Sequence, residues 1–239
     1  MGRHGTIAGR KAAQDSKRSA MFTKYAKAIT VAAKDGGDPD YNSALRVAIE
    51  KAKSISMPNS NIERAIKKGT GELGGATYEN LTFEGYGPGG VAIIVDCLTD
   101  NTNRTTSSVR STFDKFGGNL GTPGCVSYMF SRKGIILIEK VEGITEDEIM
   151  EVALEAGADD IVNEDDHFEI ITDPSNYTEV HNSLADAGYE IAESDIEYVP
   201  SMEAEPADND KGKLIKLIDN LEDNEDVQKV HTNCSIDLY

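Results

Sequence analysis

The sequence predicts an α+β multidomain protein: an N-terminal three-helix domain followed by two ferredoxin-like α+β domains, one inserted into the other. Three observations predict it. Apolar spacing is helical up to Gly69 and changes after Leu81 to short β-rich runs alternating with helices. Between them lies Gly69-Thr70-Gly71-Glu72-Leu73-Gly74-Gly75, a turn-forming stretch that reads as a linker. Residues 133–199 then read β-α-β-β-α-β, flanked by segments that complete a similar plan only when joined. The expected domains are 1–75, 79–132 with 205–239, and 133–204.

The first helix is expected from about Asp15 to Lys34, with Asp15 or Ser16 as N-cap and Gly36-Gly37 as the stop. Phe22, Tyr25, Ile29, Ala32 and Ala33 share one face, and Lys17, Lys24, Lys27 and Lys34 fall on the opposite side as a basic outer stripe. Asp38-Pro39 is expected to start a second helix with Leu45, Ala48, Ile49 and Ala52 inward. Pro58-Asn59 starts a third, with Ile62, Ala65 and Ile66 inward, Arg64, Lys67 and Lys68 outward, and Gly69 as C-cap.

The middle domain is expected to hold strands Leu81–Glu84 and Val91–Leu98, helix Asn103–Phe116 and a strand around Cys125–Phe130. Helix Lys211–Leu221 and strand Asp226–His231 would close it. The inserted domain takes strand Gly134–Lys140, helix Thr145–Ala156, strands Asp160–Val162 and His167–Thr172, helix Pro174–Ala187 and strand Ala192–Val199. Ser201–Asp210, rich in acid and proline, is the return linker.

The 24 Lys+Arg against 42 Asp+Glu give a net charge of −18, which as a whole-chain figure speaks against a polyanion partner. Its distribution speaks otherwise. Residues 1–80 hold 14 cations against 8 acids, and the remainder holds 10 against 34. Arg3, His4, Arg10 and Lys11 precede the first acid, Asp15. This arm is too poor in apolar residues to pack by itself and is expected to order on a polyanion. With the helical cations it forms the candidate nucleic-acid-binding set: Arg3, His4, Arg10, Lys11, Lys17, Arg18, Lys24, Lys27, Arg64, Lys67 and Lys68. Such residues contact phosphates without reading bases.

Other function classes find little support. No run of 18 apolar residues exists, so no transmembrane helix is expected. The basic N-terminus lacks the apolar core of a secretory signal, and three scattered cysteines fit a reducing compartment; the expected location is cytoplasmic. Gly85-Tyr86-Gly87-Pro88-Gly89-Gly90 satisfies G-x-G-x-x-G, but a strand follows where the dinucleotide fingerprint needs a helix. Asp208-Asn209-Asp210-Lys211-Gly212 lacks the acid and glycine placement of a calcium loop. The clusters Glu164-Asp165-Asp166 and Glu222–Asp226 are expected to be solvated turns, and His4, His167, His181 and His231 lack metal-ligand spacing. No catalytic residue, metal or cofactor is expected, and the chain is expected not to be an enzyme. Tyr86, Gly87, Pro88, Gly89, Gly90, Asn101 and Arg104 remain as a candidate functional loop and polar group. For Asn101 a helix cap, and for Arg104 and Arg110 internal ion pairs, are the expected structural roles.

Several segments resemble the YebC-type family. They are Gln14–Arg18 through Phe22-Thr23-Lys24, Asn61–Gly69, Phe83–Ala92, Asp100–Thr105 and Gly117–Gly121. The resemblance covers essentially the whole chain, and Glu84-Gly85-Tyr86-Gly87-Pro88-Gly89-Gly90 is its most specific part. It implies a helical N-terminal domain with two α+β domains, and a cytoplasmic DNA-binding transcriptional regulator. The alternative it implies is a ribosome-associated, rRNA-binding translation factor or translational activator assisting synthesis of proline-rich sequence. The expected partner is thus DNA or rRNA, with the ribosome as a further candidate, no membrane, and a monomer as a plausible state. The family's arm usually reads Gly-His-Ser-Lys-Trp, whereas this chain has Arg3-His4-Gly5-Thr6-Ile7 and no Trp.

Overall fold

The structure, a computed structural model, describes residues 18–74, 77–141 and 143–235. It is α+β: seven α-helices and two four-stranded antiparallel sheets among the described residues, with the helical segment first. Two compact units emerge: residues 18–126 with 206–232, and residues 127–205 with 233–235.

The first unit opens with three helices, α1 (Arg18–Ala32), α2 (Ser43–Ser54) and α3 (Asn59–Gly69). Their inward faces meet in one cluster in which Ile29, Leu45, Ala52 and Ile62 are buried and Phe22, Tyr25 and Ile66 pack around the edge. The expected N-cap of α1 at Asp15 or Ser16 lies outside the described residues. Helix α2 begins four residues after Pro39, because Asn42 makes the better cap. Its side chain accepts from Leu45 N at 3.0 Å and donates to the Ala32 and Gly36 carbonyls at 2.8 Å each. Asp38 instead accepts from Asp40 N in the preceding turn.

Gly69 does not cap α3; Thr70 does, with φ −72°. Gly69 is needed for close approach. A Cβ there would sit 2.4 Å from the Thr30 carbonyl oxygen and 2.6 Å from Ala33 Cβ, both on the first helix segment. Gly69→Ala is therefore expected to force α1 and α3 apart. The overpacking cost of about 1–3 kcal/mol exceeds the helix-propensity gain of about 1 kcal/mol. A fall of a few degrees in Tm checks this; an unchanged or raised Tm would contradict the tight crossing.

The rest of the first unit is a sheet in the order β3-β1-β2-β8, where β1 is Glu79–Tyr86, β2 Ala92–Thr99, β3 Asn119–Leu120 and β8 Val227–Thr232. Helix α4 (Thr102–Lys115) and the later helix α7 (Asp208–Glu222) pack with it, burying Val109, Phe113, Leu214, Leu217 and Leu221. The expected strand around Cys125–Phe130 is absent. Backbone groups that a ladder would use are taken by Glu84, whose carboxylate accepts from Gly124 N at 2.8 Å and Val126 N at 2.9 Å. Gly124 adopts φ 91°, and Ser127–Met129 form a 3-10 turn leading into the second unit.

The second unit holds β4 (Phe130–Glu139), α5 (Glu146–Glu155), β5 (Ala158–Asn163), β6 (His167–Thr172), α6 (Tyr177–Asp186) and β7 (Ile191–Pro200). The strand order β5-β6-β4-β7 is that of the ferredoxin-like plan. Thr145 and Glu148 form a capping box that fixes the start of α5. Helix α6 starts at Tyr177 rather than Pro174, since Asp173 holds Ser175 in a turn by accepting from its N–H and hydroxyl at 2.9 and 2.7 Å.

Candidate nucleic-acid interface

Helical periodicity explains which cations of the bundle reach solvent. On α3, Arg64 and Lys67 lie opposite the buried Ile62 and Ala65 and are exposed. On α2, Arg46 and Lys53 are seven residues apart, so they share one stripe to within about 20°. Both are exposed, as is Lys34 at the end of the first helix segment. Among the described residues, none of these five lies within 4 Å of a carboxylate. Arg46 and Lys53 are absent from the candidate set drawn from the sequence; their seven-residue spacing is the signal that finds them.

The expected outer stripe of α1 is corrected. Lys27 is 9% exposed. Its ammonium donates to Asp226 Oδ1 at 2.6 Å and to the Glu225 carbonyl at 2.7 Å. Lys24, one turn earlier, donates to the Glu222 carbonyl at 2.6 Å. Both lysines point away from the bundle core, as their periodicity requires, but the face they occupy is covered by the α7–β8 turn. Carbonyls at the C-terminal end of α7 carry the negative end of its dipole, which favours cations there. Lys68 is half-buried, its ammonium on the Tyr78 hydroxyl at 2.9 Å and 5.2 Å from the ring centroid. Arg3, His4, Arg10, Lys11 and Lys17 lie outside the described residues, and so does the side chain of Arg18.

Asp226, which the sequence reading placed in a solvated acidic turn, is instead the hub of a buried ion-pair cluster. It is buried at 5% exposure. Besides Lys27 it accepts from Arg104, whose Nη2 lies 2.8 Å from Oδ2 and whose Nε lies 3.2 Å away, and from the Thr105 hydroxyl at 2.8 Å. Burial pushes this carboxyl up, but the hydrogen bonds from Lys27, Arg104 and Thr105 outweigh it and hold the pKa at about 2. Arg104 also reaches Asp100 at 3.0 Å, and Asn101 caps α4 by accepting from Arg104 N at 3.0 Å. Internal pairing is thus the role of Arg104. Arg110 is exposed and within 4 Å of no carboxylate among the described residues, so it does not share that role.

The sign of the pH dependence follows from the depressed carboxyl. Its contribution is fully present above the unfolded value of about 3.9 and is lost as pH falls through about 2. The stability gap between the natural chain and Asp226→Asn should therefore narrow between about pH 5 and pH 2. Chemical denaturation at both pH values checks it; a constant gap would contradict the pairing.

The glycine loop is built for packing. A Cβ on Gly87 would lie 2.9 Å from Ile93 Cδ1 and 3.0 Å from Leu214 Cδ1, so this backbone runs close beneath α7 and a side chain there would have to displace those tips. Pro88 is buried beside it, the Tyr86 hydroxyl donates to the Cys125 carbonyl at 3.1 Å, and Gly89 and Gly90 turn with φ 74°. Packing and turn geometry account for every member of Tyr86–Gly90.

Beside Asp226 lies an open cleft of about 630 Å³ whose lining is polar throughout, including Ser108, Asn220 and Asn224. It lacks the apolar wall of a typical cofactor site. Among the described residues no three His, Cys, Asp or Glu side chains are placed to hold a metal ion, and no helix is long and apolar enough to cross a membrane. Burial, then the nearby Asp96 and Asp226, push the Cys97 thiol up to about 12, so it is a protonated core thiol.

Comparison with known proteins places this geometry in a family. Residues 3–72 match the family model for the TACO1/YebC protein N-terminal domain, and residues 78–234 match that for the TACO1/YebC second and third domain. A "probable transcriptional regulatory protein" of Clostridioides difficile (strain 630) is 52% identical over 239 residues, covering 99% of this chain and 100% of that protein. One of Listeria monocytogenes serovar 1/2a is 50% identical over 232 residues, covering 96% of each. The crystal structure of a conserved hypothetical protein from Aquifex aeolicus superposes with a TM-score of 0.83 at 44% identity, covering 93% of this chain and 92% of that one. With both family models matched along its length, the chain belongs to the TACO1/YebC family.

Proposed function

We propose that this chain is a non-enzymatic, DNA-binding regulator of transcription that grips the phosphate backbone through the exposed faces of α2 and α3. The observation that carries the reading is the set Arg46, Lys53, Arg64 and Lys67, solvent-facing on two helices of one bundle and engaged with no carboxylate among the described residues. Guanidinium and ammonium groups not held by a carboxylate release counterions when they meet phosphates, which gives affinity without base readout. The acidic remainder of the chain repels the same polyanion, so binding is confined to the bundle. Relatives at about half identity carry the name of transcriptional regulatory proteins, which supports DNA as the partner.

Crosslinking in cells followed by sequencing of the bound nucleic acid tests the assignment. Clustered promoter DNA is the expected result. Predominant rRNA would overturn DNA in favour of a ribosome-associated translation factor, and no enrichment of either would overturn nucleic-acid binding itself.

A further inference from the structure

Helices α2 and α3 are joined by residues 55–58 alone, and the turn between them is fixed. Ser56 N donates to the Lys53 carbonyl at 2.8 Å and Met57 N to the Ala52 carbonyl at 3.0 Å, closing α2 in a Schellman motif. Ser56 takes the left-handed position at φ 60°, where glycine is favoured; no other described non-glycine residue has a positive φ. Ile55 and Met57 are buried on either side of it, and Met57 belongs to the core cluster of the bundle. Two helices of a three-helix bundle joined by so short a turn make the helix-turn-helix plan. In that plan the first helix crosses the DNA backbone and the second enters the major groove.

The outer face of α3 suits the second role. Ser60, Glu63, Arg64 and Lys67 recur at i, i+3, i+4 and i+7, opposite the buried Ile62 and Ala65, and all four are exposed. Each ends in a hydrogen-bonding group. Glu63 precedes Lys67 by one helical turn, the order that best supports an ion pair. Yet among the described residues Glu63 lies within 4 Å of no Lys or Arg nitrogen. An open carboxylate on a surface that meets only phosphates weakens binding by like-charge repulsion. In the major groove the same carboxylate has a use, because it accepts from the exocyclic amine of cytosine.

We propose that α3 lies in the major groove of duplex DNA and that Glu63 is a specificity-determining residue there, accepting from cytosine N4. Arg46 and Lys53 on α2, with Arg64 and Lys67, hold the flanking phosphates. The inference rests on the proposed function and adds to it the base readout that a phosphate grip lacks. Duplex DNA is the fitting ligand, since the major groove of A-form RNA is too deep and narrow for side chains to read.

Selection of duplexes from a random-sequence pool by the full chain, followed by sequencing, tests it. The natural chain is expected to enrich a site with a fixed C·G pair. It should bind that site about tenfold more tightly than one carrying T·A there. Glu63→Ala should reduce the preference to within about twofold, and Glu63→Gln should move it towards A·T, since an amide pairs with adenine. Both changes fall on an exposed helix surface and should leave Tm unchanged. Glu50, exposed on α2, is the control: Glu50→Ala should tighten binding to all sequences alike, and a shifted site would overturn α3 as the groove helix. Duplex binding with no enriched site, or an unchanged preference in Glu63→Ala, would overturn the inference and leave the phosphate grip standing. An equal gain for all sequences in Glu63→Ala would overturn it too, since Glu63 would then only repel phosphates. No binding to any duplex would overturn the proposed function itself, and this inference with it.

Discussion

Replacing Asp226 with alanine is expected to cost about 3–5 kcal/mol, the range for removing one partner of a buried ion pair. The loss is large because two cations converge on this carboxylate. Lys27, 9% exposed, would keep its charge with only the Glu225 carbonyl as partner. Arg104 would retain Asp100 alone among carboxylates. The Thr105 hydroxyl, also buried, would lose the acceptor 2.8 Å away. In a chain of this size the change corresponds to a fall in Tm of about 6–20 °C. Combining Asp226→Leu with Lys27→Met removes both charges, and apolar replacement of a buried pair is often close to neutral. The double variant should therefore recover much of the loss, and thermal melts of the two proteins measure it. Equal destabilisation would mean that packing, not the stranded charge, sets the cost.

Neutralising Arg46, Arg64 and Lys67 to glutamine is expected to weaken nucleic-acid binding by one to two orders of magnitude, alike for all sequences. Each side chain is exposed, so the folded bundle loses little by the change. Each phosphate contact removed should lower the log–log salt slope by about one. Lys24→Gln and Lys27→Gln belong to a different class. Their ammonium groups are spent on the Glu222 carbonyl and on Asp226, so these variants should act on stability and leave the salt slope nearly intact. A filter-binding series at several salt concentrations separates the two classes.

That separation marks what was legible in the sequence. The inward faces were, because Ile29, Leu45 and Ile62 recur at helical spacing and an amphipathic helix declares its own core side. The strands of the second sheet and β1, β2 and β8 of the first were legible from their short apolar runs, as was the insertion of a complete β-α-β-β-α-β series within an incomplete one, whereas the two-residue edge strand β3 was too short to leave a pattern. The partner of the opposite helix face was not. Periodicity turns Lys27 away from Ile29 and Leu45, but its carboxylate is 199 positions along the chain, and no local pattern encodes that contact. Asp226 was misplaced for the matching reason: its neighbours Glu222, Asp223 and Glu225 gave it the look of a solvated turn. The strand expected around Cys125 failed because Glu84, 40 residues earlier, takes the backbone N–H of Gly124. Gly69 looked like a cap because it ends a helix, while its use is the absence of a Cβ beside Thr30.

On the proposed function, the exposed cations of α2 and α3, and not the α1 stripe, hold a polyanion. The salt dependence of binding to a duplex, compared between the natural chain and the Arg46→Gln, Arg64→Gln, Lys67→Gln variant, tests it most directly. A log–log slope smaller by about three is expected in the variant. An unchanged slope, or an equal loss on neutralising Lys24 and Lys27 in a still-folded protein, would contradict it.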